Sequence, residues 1–394
     1  MKLAFVSVFP PNTNGIGDYT HDLARAIAAR DPDTSIVVLA DRAGDRPVDV
    51  AVDRCWSMDG DWVPDVVAAV DRAKADVVHL QHGGYMGRDG RVPALLQQLR
   101  ARGIGSAITL HGVYPQRGRS LWRPWKWSPP RFHRALAQAS DRIIIHQKAS
   151  AYDPLVAHGV APEKIAIIPH GTPVAGPVLD RAAARAQLKL PAHRRIALFL
   201  GFIEYSKGVD TVIDAFPEVA ARVPDALLVV AGRVELHDLQ DRLYKGALER
   251  RVKRARRGGW LDYRPGYLPA ADIPAYLAAA DVIVFPYRQK HGSASGILHR
   301  AFAAGRAMVC SRGPKFVDAA DTLGADADLA LPPPGDVGAW AESLSHALGD
   351  DALRARLERA SGELGARTSW PAVADQHLAL YRELAGDCRV LAAG

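Results

Sequence analysis

The residues best suited to chemistry in this chain are a lysine between two glycines, several strand-ending histidines and a second run of small residues. In GFIEYSKGVDTVIDAF, Lys207 stands just before Gly208 and ahead of Val209, Val212, Ile213 and Phe216, which are spaced as on one helix face. Glycines at 201 and 208 admit close backbone approach. The free N–H groups at such a helix start, joined by the Lys207 ammonium, suit a phosphate. A second stretch, FPYRQKHGSASGILHRAFAAG, places Arg288, Lys290 and His291 before the small residues Gly292 to Gly296 that open another helix. An ordinary βα turn with a solvated lysine gives the first pattern equally well, so the weight lies on two cradles that together suit one diphosphate.

The apolar runs VVHLQ and SAITL end at His82-Gly83 and His111-Gly112. If both are parallel strands, their carboxyl ends line a ligand crevice, where a neutral imidazole can orient a hydroxyl or carry a proton. Capping the strand by a hydrogen bond is the plainer role. Near the start, the amides of Gly15 to Gly17 are placed to face an incoming group. These glycines and Asp41 imitate a dinucleotide fingerprint. Thr20 replaces the third glycine, however, and Pro10 to Asn14 separate the strand from the turn, which argues against a nicotinamide cofactor. Asp31-Pro32-Asp33 and Asp326-Ala327-Asp328 have a D-x-D spacing that can hold a divalent ion, but neither follows a strand aimed at a crevice, so no metal site is expected.

The elements that must position these residues alternate. LAFVSVF, SIVVLAD, VVHLQH, SAITL, RIIIH and IAIIP are short apolar strands separated by helical patterns, and RIALFLG, ALLVVAG and DVIVFPY repeat the scheme. This predicts an α/β chain of two doubly wound units, joined through the proline-containing stretch 172–194. Between strands lies QRGRSLWRPWKWSPPRFHR, where Trp122, Trp125 and Trp127 alternate with cations. Such a mixture suits lipid headgroups or sugar faces, and equally a loop packed on its own helix. No nucleic-acid-binding module surrounds it. LQDRLYKGALERRVKRARRGG is a basic helix that could meet anionic lipid or a partner, or present a solvated face.

Composition sets the outer limits. Three cysteines without C-x-x-C spacing indicate neither a disulfide framework nor a zinc site, and fit a reducing cytoplasm. The start, MKLAFVSVF, is too short an apolar run for a signal peptide, and nothing reaches the roughly 18 apolar residues of a membrane span. A net charge of +7 suits an anionic partner: a nucleotide, an acidic glycan or a phospholipid surface.

Taken in order, NGIGDYTHDLA, VVHLQH, TLHG, the segment from DRIIIHQKAS to IAIIPHGTP, LFLG with KGVDTVIDAF, VVAGR and SGILHRAFAAGRAMVCS resemble the retaining glycosyltransferases of family four, the group 1 type. The likeness extends over nearly the full length. It implies a GT-B fold: two Rossmann-like domains with parallel sheets facing across an interdomain cleft, an acceptor-side domain at 1–175, a nucleotide-sugar-binding domain at 176–370, and a final helix at 371–394 packing back on the first. It also implies transfer of a sugar, mannose being the family habit, from a GDP- or UDP-linked donor to a glycan, lipid-linked or small-molecule hydroxyl. The anomeric configuration is kept, with neither metal nor covalent enzyme intermediate.

By the same resemblance His111 and Lys207 are the catalytic residues. The donor is met by Gly201, Lys207, Arg233, Arg288, Lys290, Ser293, Ser295, Gly296, Ile297 and Arg300, and the acceptor side is shaped by Gly15, Gly17, Tyr19, His82 and Trp122. Two departures matter. Members usually carry arginine directly after the glycine of the phosphate strand, where this chain has Phe202, so one diphosphate contact is either lost or supplied by another cation such as Arg288 or Lys290. They also tend to carry two glutamates eight positions apart, and these places fall at Gly292 and Arg300. A GT-B shell that binds without turnover, or that partners an active enzyme, is therefore the alternative. The anionic face of a membrane is a further expected contact, and the oligomeric state is not legible.

Overall fold

A computed structural model describes residues 1–11, 15–42, 49–113, 127–174, 179–236, 239–269, 271–288, 295–316 and 319–393. The chain divides into two compact units, one containing Met1–Gly171 and Thr368–Gly394, the other Thr172–Lys290 and Ile297–Arg367.

In the first unit the order is β1 (Lys2–Ser7), α1 (Gly15–Arg30), β2 (Ser35–Asp41), β3 (Val52–Trp56), α2 (Val63–Ala73), β4 (Val77–His82), α3 (Arg91–Ala101), β5 (Gly105–Leu110), α4 (Pro129–Ala139), β6 (Arg142–Ile145), α5 (Asp153–Ala157) and β7 (Ile165–Ile167). The strands form one sheet, β3-β2-β1-β4-β5-β6-β7, and every neighbouring pair is parallel. Because successive side chains in a strand face opposite ways, Leu3 and Phe5 join one core layer while Ala4 and Val6 join the other. Both faces are covered, which is why strands such as β1 and β6 read as near-continuous apolar runs. The edge strand β3, VDRCW, is not anticipated from the sequence: it is short, half-buried over its first three residues and interleaved with charge.

The second unit runs through α6 (Arg181–Gln187), β8 (Arg195–Leu200), α7 (Val209–Arg222), β9 (Ala226–Gly232), α8 (Leu239–Arg256), β10 (Leu261–Pro265), α9 (Ile273–Ala279), β11 (Val282–Phe285), α10 (Gly296–Ala303), β12 (Ala307–Cys310), α11 (Ala320–Leu323), α12 (Ala327–Ala330), α13 (Val337–Gly349) and α14 (Asp351–Arg367). Its parallel sheet is ordered β10-β9-β8-β11-β12 around one core that includes Phe199, Phe216 and Trp340. The last helix, α15 (Trp370–Ala393), belongs to the first unit, where Trp370, Val373, Leu378 and Tyr381 share the core layer that holds Leu23 and Ile27 of α1.

Each sheet has a point at which the strand order reverses: between β1 and β4 in the first, between β8 and β11 in the second. In open parallel sheets, ligands bind at the carboxyl ends of the strands flanking such a point. The loops that follow β8 and β11 contain Lys207 and Arg288, and His82 ends β4.

Asp281 ties the base of the second sheet together. Its buried carboxylate accepts from Arg181 Nη1 at 2.8 Å, Arg185 Nη2 at 2.7 Å and the Ile196 amide at 2.7 Å, so α6 and the starts of β8 and β11 share one group. Asp281→Ala strands the buried Arg185 guanidinium. We expect a loss of about 3–5 kcal/mol in denaturant unfolding, and a loss under about 1 kcal/mol would show that water compensates the arginines.

Candidate functional site

Gly208 decides the geometry of the second unit's switch point. Its backbone is left-handed, with φ of 63°, and a Cβ there would lie 2.1 Å from the Pro286 carbonyl oxygen, so only glycine lets the loops after β8 and β11 touch. They are then laced together. The Arg288 amide donates to the Ser206 carbonyl at 2.9 Å, and Arg288 Nη2 donates to Asp210 at 2.8 Å and Thr211 Oγ1 at 2.9 Å. Tyr287 is carried into the interior, packed against Phe285 and Phe316.

That phenol ring is where the cations gather. Lys207 ends a short 3-10 turn, Tyr205–Lys207, and its Nζ lies 4.2 Å from the Tyr287 centroid and 3.9 Å from Glu204 Oε1. The lysine is mostly buried, with a side chain 14% exposed, and burial pulls its pKa below the usual value. Lys315, from the loop after β12, brings its own Nζ to 5.7 Å from the same centroid. It is buried, and burial with the nearby Lys207 charge pushes its pKa down to about 7. Two lysines close to one aromatic ring at a strand-end switch point, with the Glu204 carboxylate acting on both, concentrate positive charge that can meet an anion. Nothing in the sequence around Lys315 marks it: GPKF has no phosphate-loop spacing, and only the β11–β12 pairing brings it beside Lys207.

The other expected donor residues are placed as follows. Gly201 closes β8, and Arg233, after β9, donates from Nε to Glu235 at 2.6 Å with its guanidinium 5.7 Å from the Phe202 ring. The exposed Phe202 thus carries a cation on its face, although it is not one itself. Arg288 is engaged by Asp210, in the first turn of α7. Ser295 immediately precedes α10, Gly296 and Ile297 open it, and Arg300 follows half-buried. Lys290, Ser293 and Gly292 lie outside the described residues, as does Trp122.

In the first unit, α1 begins at Gly15, so Gly15 and Gly17 form its first turn instead of a separate loop. The difference has a steric reason: the missing side chain of Gly17 lets this turn approach the Val8 carbonyl, 3.1 Å from where a Cβ would stand. The amides of that turn still lack intrahelical partners by construction. Tyr19 is not at a surface. It is buried, with its ring centroid about 5 Å from those of His111, His146 and His170 and 5.4 Å from that of Trp370. His82 donates from Nε2 to the Gly87 carbonyl at 3.0 Å, which makes it a strand-end tether.

His111 belongs to a buried polar cluster. Its Nε2 donates to Gln81 Oε1 at 2.8 Å, its Nδ1 lies 3.4 Å from His146 Nε2, and His146 Nδ1 donates to the Ile168 carbonyl at 3.0 Å. Beneath it, His79 bonds the Tyr381 hydroxyl at 2.6 Å and Thr109 Oγ1 at 2.7 Å. Burial holds His79 and His111 well below the usual histidine range and His146 at about 4. All three are neutral at neutral pH, the state in which an imidazole can orient a hydroxyl.

Three of the four D-x-D acids are paired with cations. Asp31 pairs with Arg382 at 2.9 Å, Asp326 with Arg356 at 2.8 Å and Asp328 with Arg312 at 2.6 Å. Among the described residues no cluster of three or more histidine, cysteine or acidic side chains is arranged to hold a metal.

Residues 13–175 match the family described as Glycosyltransferase Family 4, and residues 194–350 match Glycosyl transferases group 1. The D-inositol 3-phosphate glycosyltransferase of Corynebacterium efficiens is 27% identical over 257 residues, 63% of this chain and 58% of that protein. That of Mycolicibacterium vanbaalenii is 30% identical over 263 residues, 64% and 55%. The chain therefore matches little more than half the length of these curated relatives. Among solved structures, Anabaena Alr3699/HepE in complex with UDP superposes with a TM-score of 0.74 at 16% identity, covering 97% of this chain and 100% of that one. Sucrose-phosphate synthase from Thermosynechococcus elongatus gives 0.72 at 19%, covering 98% and 99%. Two parallel α/β units, each matched along most of its length by one of these family descriptions, make the chain a member of the group 1, family-four glycosyltransferases with the two-Rossmann GT-B fold.

Proposed function

We propose that the chain transfers a sugar from a nucleoside-diphosphate donor to an acceptor hydroxyl with retention of anomeric configuration, needing neither a metal nor a covalent enzyme intermediate. One observation carries the reading: the ammonium groups of Lys207 and Lys315 share the Tyr287 ring at the switch point of the second sheet. In such a transfer the diphosphate gains charge as the glycosidic bond stretches, and the sugar gains oxocarbenium character. Cations held in place in a partly desolvated pocket stabilise that charge without reorganising at the moment of reaction. The amides at the start of α10 and the Arg233 and Arg288 guanidiniums are assigned to the same donor. His111, kept neutral, is assigned to a sugar hydroxyl, and the first turn of α1 to the acceptor side.

Uridine and guanosine donors are the first to test. UDP and UDP-glucose occupy the HepE structures, whose likeness to this chain extends to the fold. The curated relatives named for D-inositol 3-phosphate suggest a phosphorylated polyol as one acceptor class beside glycans and lipid-linked sugars. A second reading, nucleotide-sugar binding without transfer, is favoured by Arg300 on α10, where the family resemblance leads one to expect a carboxylate. A guanidinium donates hydrogen bonds but cannot accept one from a ribose hydroxyl. Donor hydrolysis or transfer separates the two.

Lys207→Ala should weaken UDP or GDP binding, read by calorimetry, by about 10- to 100-fold, the value of one charge-assisted contact. Unchanged affinity would remove the anchor of the assignment.

The pH dependence has a definite sign. In the free protein Lys315 titrates near 7, and a bound diphosphate raises that value, so affinity should fall as pH rises above about 7, and binding should take up to about one proton there. Calorimetry in buffers of different ionisation enthalpy reads that proton, and Lys315→Met should flatten the dependence. For folding the sign is opposite. A lysine depressed from 10.5 to about 7 leaves the unfolded chain binding more protons in that window, so stability should rise with pH between those values.

A further inference from the structure

The helix α8 faces outward with a surface that the sugar-transfer reading does not use. Its packed side is formed by Tyr244, Leu248, Val252 and Ala255, all buried. On the opposite side, at helical spacing, Leu239 and Leu243 are 70% and 67% exposed, and Leu236, just before the helix, is 44% exposed. The same outward line then continues through Arg250, Lys253, Arg254 and Arg257. Among the described residues none of these four makes an ion pair, whereas Arg251, turned toward the body of the unit, is held by Asp214 at 2.9 Å. The outer stripe is therefore apolar in its first two turns and cationic in its last two.

We propose that this face of α8 docks on an anionic lipid surface, with Leu236, Leu239 and Leu243 entering the headgroup boundary and the four cations lying against phosphates. The inference does not depend on what the sugar donor is. Charge selects the occupant. A second copy meeting this face through a two-fold axis would set the cationic stripe against itself or against leucines, with no acidic stripe to answer it. An anionic bilayer answers both halves at once: leucines partition into its boundary while arginine and lysine stems lie flat with their heads at phosphate level.

The test is co-sedimentation of the full chain with vesicles of phosphatidylcholine alone or mixed with phosphatidylglycerol, at low and high salt. The wild type should pellet with the anionic vesicles only and be released by salt. Leu239→Ser with Leu243→Ser should lower partitioning by about tenfold or more, since two exposed leucines lose their boundary contact. Arg250→Glu, Lys253→Glu and Arg254→Glu combined should nearly abolish it, each lost cation being worth about fivefold. Because all these side chains point away from the core, the thermal midpoint of each variant by circular dichroism should match the wild type, which separates lost docking from lost folding. Failure of the wild type to bind anionic vesicles at low salt would overturn the proposal. So would wild-type partitioning by the leucine pair, or ultracentrifugation in which that pair instead dissolves a dimer.

Discussion

A single missing side chain sets the terms for the second unit. With the Pro286 oxygen 2.1 Å from where a Cβ on residue 208 would stand, no other residue allows the β8 and β11 loops to meet. Their meeting places Tyr287 inward, and the Lys207 and Lys315 ammoniums both lie close to its ring, Lys315 buried and Lys207 mostly so. Desolvation is what gives the arrangement its chemical value. An ammonium in bulk water is screened and worth little to a passing anion, whereas one already stripped of water pays little more when the anion arrives. The same stripping lowers the pKa of both lysines, so charge placement and proton affinity follow from one contact.

The first unit solves a different problem. It buries several polar rings beneath a parallel sheet end, where an unpaired donor or acceptor costs about 1–3 kcal/mol. The answer is one protein partner for each imidazole N–H that burial leaves: Gln81 for His111, Thr109 and Tyr381 on the two nitrogens of His79, and the Ile168 carbonyl for His146. Tyr381 comes from α15 at the far end of the sequence, and so does His377, whose Nδ1 lies 3.3 Å from the Tyr381 hydroxyl and whose Nε2 lies 3.4 Å from the Tyr19 hydroxyl. The last helix therefore completes the polar interior under His111 as well as covering a core face.

Much of this is legible in the sequence. The β8 loop announces itself because the glycines, the lysine and the apolar helix positions are adjacent in sequence and obey local rules. The strand-ending histidines are equally plain as strand ends, since the apolar runs give the strands; that His82 tethers the next turn and His111 lies in a buried cluster is not. What escaped depends on pairing between distant segments. Lys315 reaches the Tyr287 ring through the β11–β12 register, and no local pattern encodes that neighbour. Tyr19 looks like a rim residue in NGIGDYTH, but a helix beginning at Gly15 turns it toward the histidines. The edge strand β3 hides because one face meets solvent and its sequence is correspondingly mixed.

The position after Gly201 shows why residue-by-residue comparison undersells such a site. A diphosphate responds to the potential at its oxygens, and potential is indifferent to which strand supplies the charge. Phe202 removes a cation from the end of β8, yet Arg233 at the end of the neighbouring strand lies over its ring, and Lys315 adds an ammonium from beyond β12. Both arrive across the sheet rather than along the chain. The two differ in kind: Arg233 is half exposed and shared with Glu235, so solvent screens it, while Lys315 is buried and close to Lys207. Of the two, the buried ammonium is the less screened, and its proximity to a like charge, only partly offset by Glu204, means that an anion near both relieves a repulsion as well as forming a contact.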